Sequence, residues 1–315
     1  MRILITGGAG CLGSNLIEHW LPKGHEIFVI DNFATGKREV VPEVSGLAIR
    51  EGTIVDESMV RECFGAFSPD VVIHSAASYK DPDDWTEDAR TNVIGSINVA
   101  RAAKAHSVKR LINFQTALCY GRPHQLPIPA SHPVAPFTSY GITKTAGEQF
   151  MMLSGVPTLS LRIANVTGPR LAIGPIPTFY KRLKAGQSCF CSDTSRDFLD
   201  MSDFFAFMDK AIQADAPTGI FNVSSGEARS IKEIFDLVSD YLGLGVKDVP
   251  IVPPAADDVP VVALDPAATK EAFGWSAQVG FAETIHRQLA WYEKYGVSDV
   301  FSHLKAPTDN KQVCE

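Results

Sequence analysis

The feature that most constrains this chain lies within its first thirteen residues. An apolar run at 2–6 leads into Thr6-Gly7-Gly8-Ala9-Gly10-Cys11-Leu12-Gly13, and an amphipathic stretch follows at 12–20. Strand, glycine turn and helix in that order place three glycines at intervals of three where a backbone must approach a diphosphate closely, and side chains there would block the ligand. The helix start adds unpaired N–H groups and a partial positive charge, so the loop can hold an anion without basic side chains. A tight turn with no ligand uses the same residues, and the motif alone leaves both readings open.

The first half keeps this alternation. Segments 2–6, 25–31, 47–51, 71–75, 110–115 and 158–165 read as strands, and 12–20, 59–67, 89–106 and 140–153 carry apolar residues at helical spacing. The expectation is an α/β fold, a doubly wound parallel sheet built from βαβ units. After Asn165, the residues Pro169, Gly174, Pro175 and Pro177 interrupt any long element and mark passage into a second, smaller α/β region. A helix at 202–214 and a buried strand at 219–225 return the chain to the sheet once. Ser230 with Glu233 forms a capping box opening 231–242, and Asp265-Pro266 starts another helix. The expected division is 1–167 with 197–225 as one domain and 168–196 with 226–315 as the other, with a frayed polar tail from Ala306.

Charge narrows the partners. Among 315 residues, 29 Lys and Arg stand against 36 Asp and Glu, and a net charge of −7 argues against nucleic acid or an anionic membrane surface as partner. No apolar run approaches the roughly 18 residues of a membrane span, and a cytoplasmic protein is expected. Cys11, Cys63, Cys119, Cys189, Cys191 and Cys314 lack the paired spacing of a structural zinc site, so reduced thiols and no metal are expected.

Asp31 ends the second strand, close to the distance of about 20 residues at which a carboxylate reaches the adenosine ribose hydroxyls of a dinucleotide. Its charge repels a 2′-phosphate and favours NAD over NADP, with Lys37 and Arg38 nearby as the opposing signal. Cys11 at the helix start is read as small-residue packing rather than an activated thiol. Tyr140 and Lys144, four apart on one helix face, form a candidate proton-transfer pair. An ammonium about 4 Å from a phenol at an effective dielectric of about 20 contributes about 4 kcal/mol, about three pKa units, bringing the phenol toward neutrality. The oxidised nicotinamide adds a further positive charge, and tyrosinate then becomes a base for a sugar or alcohol hydroxyl, returning the proton on the reverse step. Thr116, at the end of the strand 110–115, faces the ligand crevice of such a sheet and can position a substrate oxygen. An ordinary solvated helix face gives the same Tyr and Lys spacing; the glycine loop, Asp31 and Thr116 in order argue against it.

Taken together, the chain resembles the extended short-chain dehydrogenase/reductase family, in its nucleotide-sugar epimerase/dehydratase branch. The likeness rests on the glycine loop, Asp31-Asn32, His74-Ser75-Ala76-Ala77, Asn92-Val93-Ile94-Gly95, Thr116 through Tyr120-Gly121, Tyr140-Gly141-Ile142-Thr143-Lys144, Asn165-Val166-Thr167-Gly168-Pro169-Arg170 and Arg196-Asp197-Phe198. It implies a Rossmann cofactor domain holding NAD, a smaller substrate domain, a nucleoside-diphosphate sugar in the cleft, and a homodimer through the two helices following Asn92 and Tyr140. It also implies catalytic positions for Thr116, Tyr140 and Lys144. Gly7, Gly10, Cys11, Leu12, Gly13, Asp31, Asn32, Thr53, Ile54, Ala76, Ala77 and Asn92, with Tyr140 and Lys144, then surround the cofactor, Thr53-Ile54 lying beside adenine. Thr116, Asn165 and Arg196 face the substrate, the last two at its diphosphate. His74 reads as a core histidine and Lys80 as a surface lysine within reach of a phosphate.

Two departures refine the expectation. Dehydratases and decarboxylases of the branch carry acidic residues just after the catalytic Thr, where this chain has Ala117 and Leu118. The stretch Pro253 to Asp258 lacks the arginine that relatives place on the diphosphate, which shifts that charge toward Arg196. The expected reaction is reversible epimerisation at C4 through a keto sugar. A 4-keto-sugar reductase that consumes reduced nicotinamide is the alternative, and a non-catalytic NAD-sensing protein is a third reading.

Overall fold

The computed structural model describes residues 1–79, 81–255 and 258–301. Lys80, the tail from Ala306, and Ala256 and Asp257 of the arginine-free stretch lie outside the described residues. The strands are β1 (Arg2–Thr6), β2 (Glu26–Asp31), β3 (Leu47–Glu51), β4 (Val71–His74), β5 (Arg110–Thr116), β6 (Thr158–Ile163), β7 (Asn165–Thr167), β8 (Cys191–Ser192), β9 (Ser195–Asp200), β10 (Gly219–Val223), β11 (Ala228–Ser230) and β12 (Ile251–Val252). The helices are α1 (Cys11–Trp20), α2 (Glu57–Phe67), α3 (Trp85–Asp88), α4 (Ser96–Ala105), α5 (Ser139–Leu153), α6 (Pro175–Lys184), α7 (Met201–Ala211), α8 (Ile231–Tyr241), α9 (Ala267–Phe273) and α10 (Phe281–Tyr295).

The main sheet has seven strands in the order β3-β2-β1-β4-β5-β6-β10, all parallel. Strand order reverses between β1 and β4, which opens the crevice where open α/β sheets bind ligands. Alternation along each strand feeds two cores. Ile3, Ile5, Val29, Ile73, Ile112 and Leu161 meet α1 and α7 on one face, whereas Leu4, Ile30, Val72 and Leu111 meet α2, α4 and α5 on the other. Side chains buried on both faces explain why these strands read as near-continuous apolar runs.

Beyond β6 the structure departs from the sequence reading. The run 158–165 is broken: Ala164 donates its N–H to Val223 at 3.0 Å, and β7 leaves the main sheet to pair with β9. Pro175 does not interrupt an element but opens the ten-residue α6 at its first position, where a missing N–H costs nothing. The fifteen-residue α10, which the sequence reading did not draw, brings Ile285, Leu289 and Tyr292 into a separate core with Ile176, Phe179, Ile234 and Phe235. Segment 267–275 packs on the main sheet instead of this second core: Phe207 lies 5.0 Å from Phe273 and 5.2 Å from Trp275 between ring centroids.

Strand β9 belongs to both halves. Phe198 points into the second core and Leu199 into the sheet-side core. Between Arg196 and Phe198, fully buried Asp197 accepts from the N–H groups of Ser225, Gly226 and Leu264 and from the Ser225 hydroxyl at 2.7–3.2 Å. Burial nonetheless pushes its carboxyl up to about 6.

Candidate active site

The glycine loop is built by three different constraints. Gly7 has φ +70°, and a Cβ there would meet Ala76 N at 2.7 Å. A Cβ on Gly13 would meet Gly7 O at 2.5 Å and Gly8 Cα at 2.6 Å, so this glycine lets α1 sit against the loop. Gly10 is the least crowded of the three, a Cβ there meeting Gly7 O alone, at 3.2 Å. Turn, ligand-facing position and helix packing thus fall on successive glycines, the division a dinucleotide loop requires. Gly10 is also the N-cap of α1 and offers no side-chain cap, which leaves first-turn N–H groups directed at the crevice. Cys11 and Leu12 pack against the sheet-side core; burial pushes the Cys11 thiol up to about 12 against the opposing Arg170 charge, as suits packing rather than reactivity.

Asp31 is held at the mouth of β2. Its Oδ2 accepts from Ala9 N at 2.8 Å and its Oδ1 from Phe33 N at 2.8 Å, while burial raises its carboxyl above the usual range. Each oxygen keeps a lone pair for a ribose hydroxyl. Asn32 uses its own oxygen to accept from Ala34 N at 3.1 Å, shaping the next turn. The Thr53 hydroxyl accepts from Val55 N at 3.2 Å, and Ile54 is buried against Gly95, where a Cβ would meet Ile54 Cδ1 at 2.5 Å.

After β4 the chain passes over the crevice through Ala76 and Ala77. Ala76 N donates to the Thr6 hydroxyl at 3.3 Å, and His74 bridges Thr6 at 2.9 Å and Ser96 at 3.0 Å. Full burial drives that imidazole well below its ordinary pKa, consistent with a neutral core histidine. The Asn92 amide is engaged on both sides: Oδ1 accepts from Ser78 N at 2.9 Å, and Nδ2 donates to Ser78 O at 2.9 Å and to the Thr143 hydroxyl at 3.1 Å. Asn92 therefore ties the 76–78 loop to the helix carrying Tyr140. Residues 89–95 around it form a widened, π-type stretch between α3 and α4, where one regular helix was expected. Such stretches recur at functional sites.

Helix α5 starts at a Thr138 cap, whose hydroxyl accepts from Gly141 N at 3.1 Å, and carries Tyr140 and Lys144 one turn apart. Thr116 ends β5; its hydroxyl accepts from Leu118 N at 3.2 Å as the chain turns over Ala117–Tyr120. The electrostatics of the protein alone run against the sequence estimate. Burial pushes the Tyr140 phenol far above its ordinary value, with Tyr79 and Asp88 adding to the rise. Lys144, 4% exposed, is itself brought down to about 8 by burial despite the Glu148 charge. In the protein alone, desolvation pushes both groups toward their neutral forms, against the direction inferred from their spacing. Sequence reasoning missed three neighbours: Tyr79, whose ring stands edge-on to Tyr140 at 6.3 Å, Asp88, and Glu148 one turn past Lys144. Glu148 was accessible from the same four-residue spacing; the other two were not.

Toward the second core, Asn165 donates to Asp197 O at 2.9 Å. Arg196 donates to Val259 O at 2.7 Å and pairs with Asp258, so its guanidinium is tied to the segment where an arginine was sought. Among the described residues no three His, Cys, Asp or Glu side chains gather as metal ligands, and no helix is long and apolar enough to cross a membrane.

A glycine cradle at a strand-order reversal, an acidic residue closing the next strand and a Tyr–Lys helix define a dinucleotide-dependent enzyme class. The chain belongs to the NAD dependent epimerase/dehydratase family, whose profile matches residues 3–224. It is similar to the crystal structure of the Bordetella bronchiseptica enzyme WbmG in complex with NAD, at 69% identity and TM-score 0.92 over 97% of this chain and 98% of that one. The same enzyme with NAD and UDP matches at 69% identity and TM-score 0.92 over 96% and 97%. UDP-glucose 4-epimerase from Mycolicibacterium smegmatis is 29% identical, over 93% of this chain and 98% of its own.

Proposed function

We propose that this protein catalyses NAD-dependent epimerisation, at C4, of a nucleoside-diphosphate sugar through a keto intermediate, with no net redox change. The observation that carries the reading is the Asp31 carboxylate held against Ala9 of the glycine loop at 2.8 Å, in a chain of a family that uses NAD; the Tyr140–Lys144 helix supplies the proton-transfer pair. Bound NAD supplies reversible hydride acceptance at the sugar carbon. Gly7, Gly10, Cys11, Leu12 and Gly13 cradle its diphosphate, Asp31 and Asn32 face the adenosine ribose, Thr53 and Ile54 border adenine, and Ala76, Ala77 and Asn92 line the remaining wall. Tyr140 takes the C4 hydroxyl proton and returns it, Thr116 orients that hydroxyl, and Lys144 supplies positive charge beside the phenol and the nicotinamide ribose. Asn165 and Arg196 face the substrate diphosphate. A uridine nucleotide is the first choice, since WbmG was crystallised with UDP and relatives carry the name UDP-glucose 4-epimerase.

Incubation of the purified enzyme with UDP-, dTDP-, GDP- and CDP-sugars, followed by product analysis, tests the reaction. Epimer formation without cofactor consumption is expected; stoichiometric use of reduced nicotinamide would select the ketoreductase. Tyr140→Phe is expected to lower turnover by a factor of about 100 or more while retaining NAD. Activity at the wild-type level in that variant removes Tyr140 from its role.

We also propose the domain division expected from the sequence, 1–167 with 197–225 around the cofactor and 168–196 with 226–315 around the sugar, except that 267–275 packs on the main sheet. A homodimer is proposed through α4 and α5, supported by exposed Ile142, Phe150 and Leu153 on α5 and by exposed Ile94 just before α4. A cytoplasmic location agrees with the free thiols of Cys11, Cys63, Cys119, Cys189 and Cys191.

A further inference from the structure

Asp88, the last residue of α3, is 1% exposed. Its Oδ2 accepts from the Ser139 hydroxyl at 2.7 Å, and Ser139 is the first residue of α5, immediately before Tyr140. The other oxygen, Oδ1, is equally buried and has no hydrogen-bond partner among the described residues. A buried carboxyl oxygen left unpaired by protein groups costs folding free energy and calls for an explanation. Its field is weakly screened by solvent.

We propose that Asp88 is a positioning residue of the proton-transfer site, anchoring the start of α5 through Ser139 and setting the charge field at the Tyr140 phenol through its buried carboxylate. The inference rests on Tyr140 acting as the base. The groups acting on that phenol are Tyr79 from the loop after β4 and Asp88 from α3; Lys144 follows one turn along α5, with Glu148 a further turn on. Asp88 raises the phenol's pKa, in the direction opposite to an ammonium. Removing its charge favours phenolate, so phenolate-dependent turnover begins at lower pH.

Two substitutions separate charge from anchoring. Asp88→Asn keeps an oxygen to accept from Ser139 but removes the charge; Ser139→Ala removes the bond but keeps the charge. In the NAD-loaded enzyme with a turned-over UDP-sugar, the acid limb of kcat/KM is expected to move down by about one pH unit in Asp88→Asn. Ser139→Ala is expected to lower kcat with the limb unmoved. An Asp88→Asn limb that coincides with wild type, or equal shifts in both variants, overturns the proposal. Ultraviolet titration of tyrosinate, taken as the difference from Tyr140→Phe in each background, reads the same shift independently of turnover. An inactive wild type across all nucleotide sugars counts against the proposed function, whereas an active Asp88→Asn with an unmoved limb counts only against Asp88.

Discussion

Gly10 and Gly13 look equivalent in the sequence, yet the structure gives them opposite burdens. A methyl on Gly13 is driven into the backbone of Gly7 and Gly8, which cannot rotate aside, whereas one on Gly10 meets a single atom at 3.2 Å. Gly13→Ala is therefore expected to destabilise the fold by about 2 kcal/mol or more, read by thermal melting. Gly10→Ala is expected to melt within about 0.5 kcal/mol of wild type as apo-protein but to lose most of its NAD, read by absorbance after gel filtration. A Gly10→Ala variant that retains NAD would count against the cradle. The glycine loop, Asp31 and the Tyr140–Lys144 pair were legible because their geometry is local, set by spacing within one turn or one helix. Asp88 and Ser139 were not, since 51 residues separate them and only the packing of α3 against α5 brings them together. The phenol shows the same limit: spacing reports a neighbour, but not how much water both groups lose.

At the scale of elements, α5 is held to the sheet by a buried ion pair. Glu148 meets Arg162 of β6 at 2.8 Å with both side chains at most 5% exposed, Ser160 donates to the same carboxylate at 2.7 Å, and the guanidinium lies 4.7 Å over the Tyr120 ring. Removing one partner strands the other, so Glu148→Ala is expected to cost about 3–5 kcal/mol, measured by urea denaturation. It also withdraws the negative charge that raises the Lys144 ammonium, whose pKa should fall further below about 8. In the sequence α5 is visible as an apolar pattern, but its pairing with β6 is not, because nothing in either segment names its counterpart. Helix α6 was hidden for another reason: proline was read as an interruption, although at a first helical position it is an opening.

For the whole molecule, the doubly wound sheet followed from alternation alone, while the second region did not, its strands being two to six residues long and paired across distant segments. The proposed dimer belongs to this scale. Ile142 is 50% exposed on the face of α5 away from Tyr140 and Lys144, with Phe150 and Leu153 along the same helix. Ile142→Asp is expected to shift the sedimentation mass from dimer to monomer with unchanged circular dichroism; an unshifted dimer would place the interface elsewhere.

The shared strand β9 has a mechanical consequence. With Phe198 seated in one core, Leu199 in the other and Asp197 pinned between them, a wide swing of one half against the other must pull a strand out of its socket. In the proposed reaction, sugar entry then falls to surface loops, and the two halves are expected to keep one relative arrangement with and without the sugar.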